Sequence, residues 1–462
     1  MRIGKRFAAV SLAAGVALAM TACTGGGGTS TTTTTAAPPP ATSSSAPAPT
    51  TTAAPPTSSA PAVALTMSGW SLKTTPEFQK LVDGFKAKEP NVTITIKEYD
   101  PNQYEQLLLT DMTAKTAPDI IAIKQAKYTY QWAMGGQLMD ISDMIKALPS
   151  SVNGAGSYVV GGKNFGMPYR QDSWLLFYDK DLFDKAGVAV PNGQWTWDDY
   201  VKTAKELTTK LKAAGVDAKG TYQHSWQSTT QGLANAQAGD TANASGPFFS
   251  GDYSYMLPYY QRALDLQTSG AQELRGNITT NKLTYQAMFG KQSAAMMIMG
   301  SWYIATLRSQ QASGDANAFT WGIAPVPQVD SSTFAMPVTF GDPTGMGINA
   351  NIDGAKLAAA KDFLNYISSQ DAAVALAGIG ITPAMSADAV TQAVFAAQGM
   401  PSDPLSKTAY QTHKTFPENP SGADTMNIQT ILGQADTAIM TGSTDPKAAL
   451  DDAGTKVKNK DW

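Results

Sequence analysis

The stretch NVTITIKEYDPNQYEQLLLTDMTAKTAPDIIAI, residues 91–123, decides the fold. It alternates Val92, Ile94 and Ile96 with Thr93, Thr95 and Lys97, the two-residue period of a strand with one buried face. YEQLLLTDMTAK then reads as a helix, and APDIIAI, entered through Pro118, as a short apolar strand. Upstream, AVALTMSGW is a further strand. Thr75 is the expected N-cap, with Pro76 at the first helical position, of the amphipathic run EFQKLVDGFKAK. Strand, helix, strand, helix, strand at this spacing predicts parallel βαβ units and an α/β fold.

Later segments continue the pattern. SWLLFYDK is a buried-strand candidate, and TWDDYVKTAKELTTKL a helix capped by Thr196 with Asp198 and Asp199 in its first turn. AAMMIMGSWYIATLRSQ is apolar up to a Gly-Ser-Trp break, and TGMGINA is a glycine-bounded strand. GAKLAAAKDFLNYISS and DPKAALDDAGTKVKNK read as helices, the second capped by Asp445 with Pro446 next. Helices dominate the last third.

Among 462 residues there is one cysteine, Cys23, so neither an internal disulfide nor a cysteine metal site can form. Arg2, Lys5 and Arg6 precede an uncharged apolar run from Phe7 to Met20, and the small residues Thr21 and Ala22 follow. MTAC resembles the lipobox of bacterial lipoproteins. That implies a signal peptide over residues 1–22, acylation of Cys23 with palmitate-type chains, and a mature protein anchored outside the cell membrane. From Thr24 to Ala62 the chain is Gly, Thr, Ser, Ala and Pro with no charge, too little apolar area to offset ordering entropy, so residues 23–62 are expected to be a disordered tether. The body from Val63 to Trp462 is longer than a single core usually grows, and two lobes are expected. A formal net charge of -3 carries no nucleic-acid footprint, and beyond the leader no apolar run is long enough to span a bilayer.

Ten landmarks, APDIIAI, GGQLMDIS, FGMPYRQDSWLLFYDKDLFDKAGV, WTWDDY, AAMMIMGSW, WGIAPVPQ, MGINA, AAKDFLNYISS, GITPA and KAALDDAGTKV, stand in this order. Together they resemble the extracellular solute-binding proteins of ABC importers, in the large-ligand family that includes the maltose-binding proteins. The resemblance implies a two-lobe periplasmic-binding-protein-like α/β fold with two or three crossing segments, a ligand cleft between the lobes and a class II-type hinge. One lobe is placed at 63–165 and 336–383, the other at 166–335 and 384–462. It further implies a sugar ligand, permease subunits of an ABC transporter as partners, a monomer, no cofactor, no metal and no catalytic residue.

A sugar offers apolar C–H faces and a rim of hydroxyls, so its site needs aromatic platforms beside planar hydrogen-bonding groups. Trp302, directly after Gly300 and Ser301, stands where the resemblance implies a ring stacked on the ligand, with small residues opening space before it. Trp70 at the end of the first strand and Trp226 in YQHSWQSTT are further candidates, and Gln125 follows the third strand. Asp172 and Arg170 fall where the chain crosses between lobes, and Gly341 with Asp342 where it crosses back. Trp195 and Trp197 are read as anchors of a helix start and Asp119 as a turn-fixing residue. Two alternatives stay open. One is a receptor for a phosphorylated or nitrogenous solute such as a glycerol phosphate, anchored by Arg170, Lys124 or Lys127. The other is a carbohydrate-active surface enzyme using paired carboxylates. No GxSxG, HExxH or GxxxxGK[ST] occurs, and the two histidines, His224 and His413, are far apart in sequence.

Overall fold

The computed structural model describes residues 61–73, 76–239, 246–420 and 422–462. Cys23, the leader, nearly all of the tether and the expected cap Thr75 lie outside these residues. In chain order the strands are β1 (Val63–Trp70), β2 (Val92–Tyr99), β3 (Ile120–Ile123), β4 (Val159–Val160), β5 (Lys163–Asn164), β6 (Met167–Gln171), β7 (Trp174–Asp179), β8 (Met296–Gly300), β9 (Trp321–Ala324), β10 (Val338–Phe340), β11 (Pro343–Ile348) and β12 (Lys414–Phe416).

β1, β2 and β3 pair in parallel, as their spacing predicts, within a five-stranded sheet of order β2-β1-β3-β11-β6. All four residues of β3 are buried, because helices cover both faces of the sheet and leave no solvent side to alternate with. Helices Glu77–Lys88, Tyr104–Thr113 and Gly354–Ile367 contribute Phe78, Leu81, Phe85, Tyr104, Leu108, Phe363 and Leu364 to this first core. β11 runs antiparallel between β3 and β6. It returns from the second half of the chain, a pairing that no local pattern announces.

A second sheet of order β8-β7-β9 is antiparallel throughout, with β7 wholly buried at its centre. Leu175, Phe177, Met297, Met299 and Ile323 lie in its core. The helix Trp197–Ala213 packs here, opened by a capping box in which Asp199 accepts from the Thr196 backbone N–H at 2.9 Å while Thr196 Oγ1 accepts from the Asp199 N–H at 3.3 Å. A third cluster joins helices Leu257–Thr268, Thr425–Met440 and Pro446–Asn459 through Tyr260, Ile428, Leu432 and Leu450. Asp445 caps the last of these ahead of Pro446, as its sequence predicts.

Two very short links leave the first sheet, one to β7 of the second sheet and one to β10, which pairs in parallel with β12. Asp172–Ser173 separates β6 from β7, and Gly341–Asp342 separates β10 from β11. A third strip, Thr382–Ala384, runs beside β6: the Gln171 N–H donates to the Thr382 carbonyl at 3.1 Å and the Ala384 N–H to the Tyr169 carbonyl at 3.0 Å. This shifts the expected divisions at 165/166 and 335/336. Met167 and Tyr169 are buried in the first core and carry that sheet on to Gln171, while Phe340 still belongs to the second core.

At the crossing the first two links touch backbone to backbone. A Cβ on Gly341 would sit 1.9 Å from the Asp172 carbonyl oxygen and 3.0 Å from the Ser173 Cα, atoms with no free rotor to swing away. Gly341, expected at the ligand, thus has a role in the crossing itself. We expect Gly341→Ala to destabilise the fold by about 3 kcal/mol, at the upper end of overpacking costs. The measurement is urea unfolding, with a lowered midpoint at unchanged slope; a loss below about 1 kcal/mol would show that the crossing has slack.

Candidate functional site

Around the crossing lies a buried charge cluster. Arg170 Nη1 donates to Glu77 Oε2 at 2.6 Å, and its Nε lies 2.8 Å from Asp172 Oδ2. The other Asp172 oxygen accepts the Ser301 hydroxyl at 3.0 Å, and Ser301 Oγ accepts from Thr382 Oγ1 at 3.0 Å. Glu77 also accepts from Tyr169 Oη at 2.8 Å. Burial pushes the Asp172 carboxyl up, while the Arg170 guanidinium and the Ser301 hydroxyl pull it down. The two residues expected to meet a ligand, Arg170 and Asp172, are therefore paired with each other, with Glu77 and, through Ser301, with the Thr382 strip. With its charge flanked by two carboxylates, Arg170 is poorly placed to anchor a phosphate.

Beside this cluster, aromatic rings gather on the second lobe. Trp302 opens the helix Trp302–Ser313, and its ring lies back over Gly300, where a Cβ would come within 1.9 Å of it. The space expected in front of the ring is thus the space the ring fills. Trp302 meets Trp174 edge-on at 5.6 Å, and Trp174 stacks on Phe340 at 4.7 Å. Trp226 stands 6.4 Å from Trp302, 5.6 Å from Tyr285 and 4.6 Å from His224 between ring centroids. It is 41% exposed, where the rings around it, Trp302, Tyr285 and His224, are half-buried and Trp174 is buried. Burial, then the Arg275 charge, pushes His224 down to about 4, so its ring is neutral at ordinary pH. Tyr285 escaped the sequence reading; only Thr284, the cap of its short helix, marked the place.

Trp70 does not join this group. It is buried in the first core, edge-on to Phe78 at 4.8 Å and Tyr104 at 4.9 Å. Asp119 has a structural role across elements: it accepts from the Thr66 N–H and Oγ1 of β1 at 2.8 and 2.9 Å and pairs with Lys356 at 2.9 Å. Trp197 anchors its helix through Nε1, which donates to Gln237 at 2.9 Å. His413 Nε2 meets Ser173 Oγ at 2.8 Å, yet its Nδ1 faces the Ala409 carbonyl at 3.0 Å, so this pair has no orienting acid for nucleophilic chemistry. A cavity of about 40 Å³ between Trp197, Tyr222, Tyr259 and Arg262 has room for a few waters and no sugar.

A polar group faces the rings' lobe from the first lobe. Lys127, in the loop after β3, donates to Gln429 on the helix Thr425–Met440 at 2.8 Å, a bond between the lobes. Gln125 in the same loop donates to Glu105 at 3.1 Å, and Lys124 donates to the Pro101 carbonyl. Asp342 accepts from the Glu418 N–H at 3.0 Å. Glu418 lies outside every motif in the sequence. Burial and then repulsion from Glu418 push Asp342 up to about 7, opposed by the Glu418 N–H and Lys127; Glu418 is raised too, chiefly by burial. An acid raised in this way keeps its proton in the folded chain after the unfolded chain has released it, so its stabilising contribution falls as pH rises from about 4 to about 7. Asp342→Asn removes that slope while keeping the acceptor. The melting temperature of the variant relative to the parent should climb between about pH 4.5 and 7.5; a constant difference would refute the shift.

Comparison with known proteins places this geometry. Residues 69–374 match the model of the bacterial extracellular solute-binding protein family. The multiple sugar-binding protein of Streptococcus mutans is 24% identical over 278 residues, 58% of this chain and 60% of that one. For a Brucella abortus binding protein the match spans only 38% of the relative's length. A sugar transporter from Rhizobium etli, solved in an open conformation, superposes over 86% of this chain and 99% of its own with a TM-score of 0.73 at 29% identity. An ABC substrate-binding protein from Listeria monocytogenes in complex with cycloalternan shares the fold at 21% identity, with a TM-score of 0.71 and the same coverage. Two α/β lobes, short crossings between them and a family match over well over half of the sequence make one conclusion: this chain belongs to the bacterial extracellular solute-binding proteins, binders rather than enzymes, with the ligand cleft between the lobes.

Proposed function

We propose that the protein is a lipid-anchored receptor on the extracellular face of the cell membrane, which captures a sugar, an oligosaccharide or glycoside, and delivers it to the permease of an ABC transporter. One observation carries the sugar reading: the exposed Trp226 ring, buttressed by His224, Tyr285 and Trp302. Aromatic faces of this kind stack on the C–H faces of a pyranose, and such contacts contribute about 0.5–1.5 kcal/mol beyond area burial. Asp342, Glu418, Gln125 and Lys127 supply acceptors and donors for hydroxyls nearby. The sugar-binding names of the Streptococcus and Rhizobium proteins support the same class. A glycerol phosphate is disfavoured because Arg170 is already flanked by Glu77 and Asp172.

In this reading a ligand that touches both lobes binds the closed state better and shifts the population toward it. The Lys127–Gln429 bond is one contact that closure would keep. The lipobox-like MTAC and the uncharged tether after it support anchorage through Cys23.

Thermal-shift screening with maltotriose, raffinose, other neutral oligosaccharides, glycerol 3-phosphate and amino acids tests the ligand class. A true ligand at 100 times its dissociation constant stabilises by about 2.7 kcal/mol. We expect a neutral oligosaccharide to produce the shift and Trp226→Ala to weaken it about tenfold, without lowering the melting temperature of the free protein. A response to glycerol 3-phosphate alone would overturn the sugar assignment. For the anchor, Cys23→Ser should abolish incorporation of a labelled palmitate analogue and release the protein from membranes; continued labelling would remove Cys23 from that role.

A further inference from the structure

We propose that the buried ion pair Arg275–Asp436 is a positioning device for the loop carrying His224 and Trp226, holding the aromatic platform in its ligand-ready orientation before any ligand arrives. The term ligand-ready rests on the sugar-receptor reading; the ordering of the loop does not.

Three consecutive carbonyls of that loop are pinned from behind. Thr229 Oγ1 donates to Trp226 O at 2.7 Å and His224 O at 3.2 Å, and Arg275 Nη1 donates to the carbonyl between them, Ser225 O. Tyr222 Oη meets His224 Nδ1 at 2.9 Å. With its backbone fixed on this side, the loop turns the Trp226 ring outward to solvent.

Arg275 does not stand alone. Its Nη1 lies 3.1 Å from Asp436 Oδ2, and Asp436 Oδ1 accepts from Tyr260 Oη at 3.1 Å. Tyr260 in turn accepts from Gln231 Nε2 at 2.7 Å, which also reaches the Leu432 carbonyl at 2.9 Å. The Arg275 N–H donates to Gln267 Oε1 at 2.7 Å. Helix Thr425–Met440, bearer of Asp436, also closes on the loop's far end, where a Cβ on Gly433 would sit 2.6 Å from Gln227 Oε1.

Stability is a poor reason for this arrangement. Both charges are almost wholly buried, and the cost of removing two ions from water consumes most of their attraction. Arg275 Nη2 is in addition a buried donor without a partner, which a network arranged for stability would avoid. A planar guanidinium, though, has donors at fixed angles, and here it ties a loop carbonyl to a helix carboxylate. Geometry is what the pair contributes.

The test needs no sugar, so a failed ligand screen leaves it standing. The full chain is labelled with 5-fluorotryptophan, and the Trp226 line in the ¹⁹F spectrum is identified by its loss in Trp226→Phe. We expect one narrow line in the parent, and its splitting or broadening in Arg275→Met and in Asp436→Asn, while the lines of core residues Trp132 and Trp321 stay in place. Should Arg275→Met not fold, Asp436→Asn decides, since it keeps an acceptor for Tyr260 and removes only the charge. A Trp226 line that stays narrow, or tryptophan lines that all move together, would overturn the proposal: the first would make the pair irrelevant to the loop, the second merely structural.

Discussion

The contact on which the rest depends is the crossing of Gly341 over the Asp172 carbonyl. Two lobes, each with its own core, are joined here by links of two residues each. Links that short leave no room for a side chain between them, and glycine is the residue that has none. The charges of Glu77, Arg170 and Asp172 then fix the first strip to the helix Glu77–Lys88, Gln171 reaches the Gly341 carbonyl of the second, and Ser301 with Thr382 ties in the third. Removing Arg170 would leave two buried carboxylates with no counter-charge, a far larger penalty than the net worth of the pairs. The hinge is thus stiff along the strands, and rotation about the links is the motion it leaves free.

Polar groups in the molecule divide by what they already hold. The carboxylates of Glu77 and Asp172 at the crossing are already engaged by Tyr169, Arg170 and Ser301, and a ligand would have to break those contacts to reach them. Two groups are less fully engaged: Trp226 keeps an exposed ring, and Asp342 and Glu418 share a site with only Lys127 to offset them. A binding surface is recognisable by such unfinished contacts more than by residue type.

Much of the fold was legible in the chain. The alternation at Val92–Lys97, the all-apolar β3, the caps at Thr196 and Asp445 and the order of the landmarks each record a local rule that the structure obeys. The antiparallel insertion of β11 was not legible, since its partners come from distant parts of the chain. The site was read with less success for the same reason. Arg170 and Asp172 were picked correctly as crossing residues, but the partner that engages Arg170, Glu77, lies 93 residues away. Asp342 stands at the second link as its position implied, and its partner Glu418, 76 residues on, lies outside every motif. Trp70 shows the converse: a strand-end position suggested a cleft, while Phe78 and Tyr104 enclose the ring. Tyr285 and His224 become informative only once folding brings them to Trp226.

Asp342 sits on one of the links about which the lobes turn, and its carboxyl titrates with Glu418 beside it. Any rotation that alters the water or the Lys127 ammonium around that carboxyl alters its proton occupancy. A closure that changed those surroundings would be linked to proton exchange with the medium, and linkage is reciprocal. The heat of such a closure near neutral pH would include the ionisation enthalpy of whatever buffer supplies or accepts the proton.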